Sequence, residues 1–469
     1  MFQAPRGTQD ILPAEQPYWR YIERAAEAIA RLYGYERIDT PVFEEAGLFV
    51  RTVGAGTDIV EKEMYTFTDL GGGQMTLRPE GTAPICRAYI EHGMVSLPQP
   101  VKLFYQAPIF RYERPQAGRF RQHHQFGFEA IGDGDASLDA ELIDMAWRFF
   151  TTLGLKNLTL QINSIGCPTC RPDYLAKLKE YYFSHQDALC GDCKIRLEKN
   201  TLRLLDCKKT TCLPLAPEAP RSIDNLCPEC AAHFEQLKRN LSMLNLPFEI
   251  NLSMVRGLDY YTRTVFEIQP EEERGQSTIA GGGRYDGLIE ELGGKPTPGV
   301  GFATGIERII LNLKKQNVAV TGLAKPSVFV VWIGGEARDV ALKLVRDLRE
   351  ADVSAVTAYT PRSMKAQLRQ ADSAGCHFAA IIGEEELAQG FVTLRDMRTA
   401  QQEPVPLNKL VEKLPDLLVN QPPDRQRKIL KDSFAEMRNE MAASKIDLKM
   451  QEQSQRILDE LIKSLDTNE

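Results

Sequence analysis

Four arginines crowd into one short run, Phe110-Arg111-Tyr112-Glu113-Arg114-Pro115-Gln116-Ala117-Gly118-Arg119-Phe120-Arg121. A guanidinium fork holds a phosphate through paired hydrogen bonds, so the run suits a nucleotide, a nucleic-acid end, or both. A solvated charged loop has the same composition. The next run, His123-His124-Gln125-Phe126-Gly127-Phe128-Glu129, alternates. In a strand, Gln125, Gly127 and Glu129 face one side and Phe126 and Phe128 the other. Two long polar side chains flanking a glycine leave room for a small ligand, and a carboxylate set against a phenylalanine-lined core needs a partner. An exposed polar sheet face is the plainer reading. His123 and His124 read as hydrogen-bonded strand residues, because no third metal ligand sits at matching spacing.

Four other runs carry weaker signals. In Leu77-Arg78-Pro79-Glu80-Gly81-Thr82, an anionic Glu80 beside a small residue and a hydroxyl suits an ammonium group; Glu-Gly-Thr is also a good helix start. Met254-Val255-Arg256-Gly257-Leu258-Asp259-Tyr260-Tyr261-Thr262 supplies a cation, two ring walls and two hydroxyls, or plain core packing. Ala280-Gly281-Gly282-Gly283-Arg284-Tyr285-Asp286 is a glycine run of the kind used where backbone approaches something closely. It matches neither the dinucleotide nor the phosphate-loop glycine spacing. Gly299 to Arg308 leads into a helix with Arg308 in its first turn. The helix dipole disfavours a cation there, so Arg308 asks for an anion such as a triphosphate, or is an ordinary surface arginine.

Eight of the ten cysteines lie between 167 and 230, as Cys167-Pro-Thr-Cys170, Cys190-Gly-Asp-Cys193, Cys207 with Cys212, and Cys227-Pro-Glu-Cys230. Four pairs suffice for two zinc sites of four thiolates each. Cys86 and Cys376 stand apart and read as buried hydrophobes.

These residues need a scaffold. Tyr18, Ile22, Ala26, Ile29 and Tyr33 space out an amphipathic helix over 15–33. A strand from Glu36 to Phe43 contains Pro41 and so belongs at an edge or interface. Met64–Thr68 and Gln74–Leu77 pattern as a hairpin, and Val101–Tyr112 with His123–Gly132 as a longer one. Further strands are expected near Leu158–Asn163, Phe248–Met254, Thr264–Gln269 and Ser277–Ala280, and a helix over 305–314. Hairpins with interspersed helices indicate an α+β domain. From Pro326 the grammar changes. Apolar runs Val328–Ile333, Ser354–Tyr359 and Phe378–Ile382 alternate with helical patterns over Ala337–Glu350 and Ser363–Ala374, the sign of a parallel sheet covered on both faces. After Gln421-Pro422-Pro423 the chain reads as charged helix, with stripes at Leu430, Phe434, Met437 and Met441 and at Leu458, Leu461 and Leu465. The organisation is thus a domain over 1–325 with a Cys-rich insertion at about 167–246, an α/β domain over 326–418 and a helical tail over 419–469.

The chain has 469 residues, about three domains' worth, with 43% hydrophobic and 26% charged residues. That excludes fibrous and largely disordered chains. A net charge of -7 excludes a histone-like basic coat but not a local basic loop for nucleic acid. No apolar stretch approaches the roughly 18 residues of a membrane helix, and Met1 to Asp10 has no signal-peptide core. A cytoplasmic protein with reduced thiols is expected.

The order of the runs is more specific than any one of them. The segment near Pro41, the Phe110-Arg111-Tyr112-Glu113 hairpin and the Gly305-Ile306-Glu307-Arg308 helix resemble motifs 1, 2 and 3 of class II aminoacyl-tRNA synthetases. Arg256 to Thr262 and Ala280 to Asp286 resemble the two histidine motifs of the histidyl-tRNA synthetases of bacterial type. The resemblance runs from about Phe2 to about 418. It implies an antiparallel-sheet catalytic domain, an anticodon-binding α/β domain over 326–418, and a homodimer. It implies that L-histidine is joined to tRNA(His) at the expense of ATP with Mg2+, releasing AMP and pyrophosphate. It also carries over a histidine pocket of Glu80, Gly81, Thr82, Arg111, Gln125, Glu129, Arg256, Tyr260 and Tyr261. Arg111, Glu113, Arg119 and Arg308 are implied as ATP contacts, with Arg256, Arg111 and Arg308 as the catalytic cations. The loop Arg114–Arg121 would touch the tRNA acceptor end. His123 stands where an aromatic is expected beside the pocket strand.

Two features lie beyond the resemblance. The tail from about 424 is unaccounted for, and is read as packing on its own domain or as a partner-binding helix. The family's catalysis needs no zinc and its insertion folds without such cysteine pairs, so a catalytic zinc is set aside. Structural zinc and metal-free buried thiols both stand on sequence. The main rival is a histidine-sensing regulatory paralogue. Such proteins lack the anticodon domain and usually erode the ATP arginines, which this chain keeps.

Overall fold

The computed structural model describes residues 2–54, 57, 59–114, 118–271, 278–320, 322–323 and 325–419. The chain divides into two compact units at Val320. The first runs α1 (Gln16–Tyr33), β1 (Glu36–Arg37), β2 (Phe43–Glu45), α2 (Ala46–Val53), β3 (Tyr65–Thr68), β4 (Gln74–Leu77), α3 (Thr82–Glu91), β5 (Val101–Phe110), β6 (Gln122–Ile131), α4 (Ala136–Thr152), β7 (Leu158–Ser164), α5 (Arg171–Ser184), α6 (Gly191–Lys199), α7 (Pro228–Met243), β8 (Glu249–Ile250), β9 (Thr262–Pro270), β10 (Ala280–Arg284), α8 (Leu288–Glu291), β11 (Gly299–Gly305) and α9 (Ile306–Lys315). Eight strands form one sheet in the order β1-β5-β6-β11-β10-β9-β7-β8. Its inner pairings are antiparallel, and only the edge pairs β1–β5 and β7–β8 are parallel. This is the α+β architecture that the hairpin pattern implied.

The two faces of the sheet do different work. Phe104, Phe128, Phe302 and Phe266 come from four strands and lie in ring contact across them, with centroids 5.8, 5.1 and 6.2 Å apart. Gly282 sits between Phe302 and Phe266 in register, and a Cβ there would come within 2.6 Å of the Phe302 Cβ. The glycine is the space the rings need. This face is sealed by apolar stripes of α1 (Trp19, Ile22, Ala26, Ile29), α4, α7 and α9. Each phenylalanine taken out of water contributes roughly 1.5–3 kcal/mol. The opposite face carries Tyr105, Tyr260, Tyr261 and Tyr285 beside α3 and α8.

Several expectations need correcting. The strand foreseen over Glu36–Phe43 is two, β1 and β2, in different sheets. Pro41 has no N–H for a ladder, and the carbonyls of Thr40 and Pro41 turn instead to the Arg78 guanidinium at 2.9 and 3.2 Å. Of the strand expected over Ser277–Ala280, Ser277 lies outside the described residues, and the strand found, β10, starts at Ala280 and is built from the glycine run itself; the stretch before α9 is also a strand, β11. Of Phe248–Met254 only Glu249–Ile250 pairs.

The second unit runs β12 (Val328–Trp332), α10 (Gly335–Glu350), β13 (Ala355–Thr357), α11 (Met364–Ala374), β14 (Phe378–Ile382), α12 (Glu384–Gln389), β15 (Phe391–Asp396), β16 (Gln402–Pro406) and α13 (Leu410–Val419). Val328 and Val330 enter one core and Phe329 and Val331 another, so the central strand is apolar throughout. The sheet, β13-β12-β14-β15-β16, is parallel only in its first three strands; β15 and β16 add an antiparallel hairpin that the parallel-sheet reading missed. The helical stripes expected from Leu430 to Leu465 lie outside the described residues.

Candidate active site

Glu80 shows how local chemistry places a functional side chain. Its two carboxylate oxygens accept the backbone N–H groups of Thr82 (2.7 Å) and Ala83 (2.8 Å), donors that the start of α3 leaves unpaired. Capping and pocket roles coincide, because the same carboxylate also faces the Tyr260 hydroxyl at 3.5 Å. On β6, Phe126 and Phe128 go to the helix-covered core as the alternation required, and Gln125 and Glu129 go to the other face. A Cβ on Gly127 would fall on the Tyr105 ring, so the glycine makes room for that tyrosine.

These elements surround a cavity of about 480 Å³, within the size range of small-molecule sites. Its walls include Glu80, Gly81, Thr82, Gln125, Tyr260 and Tyr261, together with Arg111, Glu113, Arg119, Arg256 and Arg308. The structure therefore brings together every proposed pocket residue except one. Glu129 is fully buried and does not itself line the cavity; its two partners do. The Thr82 hydroxyl donates to Glu129 Oε1 at 2.8 Å and the Tyr285 hydroxyl to Oε2 at 2.6 Å. These are the partners that a carboxylate in this setting demanded. Each oxygen keeps a second lone pair.

Burial, reinforced by the nearby Glu80 charge, pushes the Glu129 carboxyl up to about 8, despite the Tyr285 and Thr82 hydroxyls. Glu80 is also raised, by burial, against the opposing pull of the Ala83 and Thr82 amides. Burial keeps the phenols of Tyr105, Tyr260 and Tyr285 neutral, well above their usual range. This end of the cavity thus pairs two desolvated carboxyls with neutral hydroxyls, an arrangement that favours an entering cation or N–H donor.

The other side of the cavity is cationic. Arg111 Nε donates to the Pro79 carbonyl at 2.7 Å, which fixes its stem. Arg119 meets Glu113 at 3.4 Å. Arg308 lies in the first turn of α9, and donates to the carbonyls of Thr278 (2.7 Å) and Gly118 (3.4 Å). Burial and the adjacent Arg119 charge lower its pKa. Arg256 pairs with Glu267 and lies 5.5 Å from the Tyr261 ring centroid. Several cations crowded on one wall suit a polyanion. Residues 115–117 of the arginine loop lie outside the described residues.

Sequence reasoning did not select Tyr285, Tyr105, Glu267, Thr278, Arg203 or Asp206, all of which line the cavity. For Tyr285 a signal existed, since it ends the glycine run. Arg203 and Asp206 come from the cysteine-rich insertion and had none. His123 also lines the cavity; burial and Arg111 press its imidazole down to about 3, so it is neutral. His124 Nδ1 bonds Glu307 at 2.9 Å, a structural contact as expected.

The cysteines assemble into two groups, Cys167, Cys170, Cys227 and Cys230, and Cys190, Cys193, Cys207 and Cys212, with sulfurs within 4.8 Å of one another in each. Either group could hold a metal ion. Cys86 and Cys376 are buried singly.

Comparison with known proteins agrees with this geometry. The chain matches the family "Histidyl-tRNA synthetase" over residues 7–167 and 197–309, and the family "Anticodon binding domain" over 327–417. It is 62% identical over 411 residues to a protein of Dehalococcoides mccartyi named histidine–tRNA ligase, covering 88% of this chain and 98% of that one. A protein of the same name from Pelotomaculum thermopropionicum is 52% identical over 87% of this chain and 96% of its own length. The crystal structure of the apo S. aureus histidyl-tRNA synthetase superposes with a TM-score of 0.75 at 39% identity, over 88% of this chain and all of that one. On its sequence, its fold and the make-up of its cavity, the chain belongs to the histidyl-tRNA synthetase family.

Proposed function

We propose that this protein is a histidine–tRNA ligase, which activates L-histidine with ATP and transfers it to the 3' end of tRNA(His). The observation that carries the reading is one cavity with a carboxyl-and-phenol side (Glu80, Thr82, Gln125, Tyr260, Tyr261, with Glu129 beneath) and a guanidinium side (Arg111, Arg119, Arg256, Arg308). Glu80, Thr82 and Gln125 receive the histidine ammonium group. Glu129 and a tyrosine hydroxyl take the two imidazole nitrogens. Arg111, Arg119 and Arg308, with Glu113, hold ATP, which enters as its Mg2+ complex.

Catalysis needs no side-chain nucleophile. The histidine carboxylate attacks the α-phosphorus, pyrophosphate leaves and histidyl-adenylate forms. The terminal ribose hydroxyl of tRNA(His) then attacks the activated carbonyl and AMP leaves. Both steps build negative charge on non-bridging oxygens, and Arg256, Arg111 and Arg308 supply fixed positive charge in a partly desolvated wall. Glu267 orients Arg256 through their ion pair.

The rest of the reading concerns organisation. The catalytic domain spans 1–325 with its insertion at about 167–246, the anticodon-binding domain spans 326–418, and 419–469 is a tail. The working form is a homodimer in the cytoplasm; among the described residues no helix is long and apolar enough to cross a membrane. Histidine-dependent exchange of pyrophosphate into ATP tests the function directly. Exchange above background with histidine and with no other amino acid is expected, and its absence overturns the reading.

A further inference from the structure

We propose that each group of four cysteines binds one structural Zn2+ ion, and that the inner ion holds the Arg203–Asp206 turn in the wall of the substrate cavity; this second clause rests on the ligase reading above. A tetrahedral ion with Zn–S bonds of about 2.3 Å sets its sulfurs about 3.8 Å apart. The Cys167–Cys170 and Cys167–Cys227 sulfurs are 3.8 Å apart, and those of Cys190 and Cys207 are 3.9 Å apart. A disulfide would need about 2.05 Å. A four-iron cluster would hold its thiolates further apart, since each sits on a different iron.

Helix ends and backbone amides are aimed at the sulfurs. Cys170, Cys190 and Cys227 occupy the N-caps of α5, α6 and α7, so three positive helix ends point at the two groups. The amide of Cys167 donates to Cys170 Sγ (3.3 Å) and that of Cys190 to Cys212 Sγ (3.2 Å). With four protein ligands each, the sites have no open position and are structural, not catalytic.

The insertion needs such fasteners. It is helical and its described residues add no strand to the sheet, and its own small core already contains Cys193, Cys207 and Cys212. The sites are nested. The outer one joins Cys167 and Cys170, after β7, to Cys227 and Cys230 at the start of α7, and the inner one lies within the loop so closed. Both reach the cavity wall. Next to Cys170, the Arg171 guanidinium donates to the carbonyls of Gly166 (3.3 Å) and Tyr261. Just ahead of Cys207, Arg203 and Asp206 line the cavity, and Asn200 Nδ2 donates to Asp259 Oδ1 at 3.0 Å.

Elemental analysis of the full chain, purified in reductant without chelator, is expected to find two zinc ions per chain. Replacing them with Co2+ is expected to give two ions with tetrahedral all-sulfur spectra and needs no variant. The C190S/C193S double variant is expected to keep one zinc, and to lose about tenfold or more in kcat/KM for exchange. Arg203→Ala is expected to keep both ions and its melting temperature while showing a comparable loss through KM. One ion or none, or iron in place of zinc, overturns the metal assignment. Unchanged exchange kinetics in Arg203→Ala overturns the positioning role. Two zinc ions without histidine-dependent exchange would sink the ligase reading and leave the metal sites standing.

Discussion

Replacing Glu129 by glutamine keeps the shape of the side chain and removes its ionisable proton. In the folded, ligand-free chain burial and the Glu80 charge lift this carboxyl from 4.5 to about 8. Ionising it therefore costs on the order of 5 kcal/mol more than in an exposed glutamate. At pH 7 the native side chain is mostly protonated, and glutamine imitates that form. The unfolded chain gives up this proton near 4.5 and the folded chain only near 8. Between those values the native state binds more protons, so its stability falls as pH rises, by up to about 1.4 kcal/mol per unit. Glu129→Gln removes this slope. Urea denaturation of both ligand-free proteins from pH 5 to pH 8 is expected to show stabilities that diverge in favour of the variant as pH rises. In exchange assays above pH 8, where the native carboxyl is ionised, the variant lacks a charged acceptor for the imidazole, worth about 1.5–3 kcal/mol, or roughly 10–100-fold in the KM for histidine. The KM for ATP is expected to stay within about twofold. Parallel stability curves would refute the buried-proton argument, and an unchanged histidine KM would refute the placement of the imidazole over Glu129.

Three other perturbations probe the scaffold. A methyl group at Gly281 would fall on the Arg256 guanidinium, so Gly281→Ala is expected to cut exchange about a hundredfold with little change in melting temperature; near-normal exchange would deny Arg256 its role. Asp139 and Arg284 form a fully buried ion pair that ties α4 to β10, and His233 shares the carboxylate at 2.8 Å. Asp139→Asn leaves the buried guanidinium short of charge, and is expected to cost about 3 kcal/mol in chemical denaturation, a loss under about 1 kcal/mol refuting it. His123 is held at about 3 by burial and Arg111. As pH falls from 6.5 toward 3 the unfolded chain gains this proton first and stability is lost, so His123→Gln should flatten the acid limb of the stability curve; identical limbs would refute the assignment.

Much of the site was readable before any fold was known, because it depends on local periodicity. The two-residue alternation of β6 separated Phe126 and Phe128 from Gln125 and Glu129, and the helical spacing of α1 named the face that it buries. The paired cysteines were read by spacing alone as enough for two four-thiolate groups, and the fold gathers them into two groups that could hold a metal ion. What sequence could not give was identity across long separations. Glycine strands such as β10 carry no side-chain alternation to read, so their place beside β9 and β11 emerged only from pairing. That pairing carries Tyr285 to Glu129, 156 positions away along the chain. Likewise Cys227 meets Cys167 rather than a nearer pair, and Arg203 reaches the cavity, because helices α5 to α7 fold the insertion back on the sheet. Local pattern specifies which face a residue shows. Only the assembled sheet and its packed insertion determine what that face meets, since such contacts depend on register and burial summed over the whole unit.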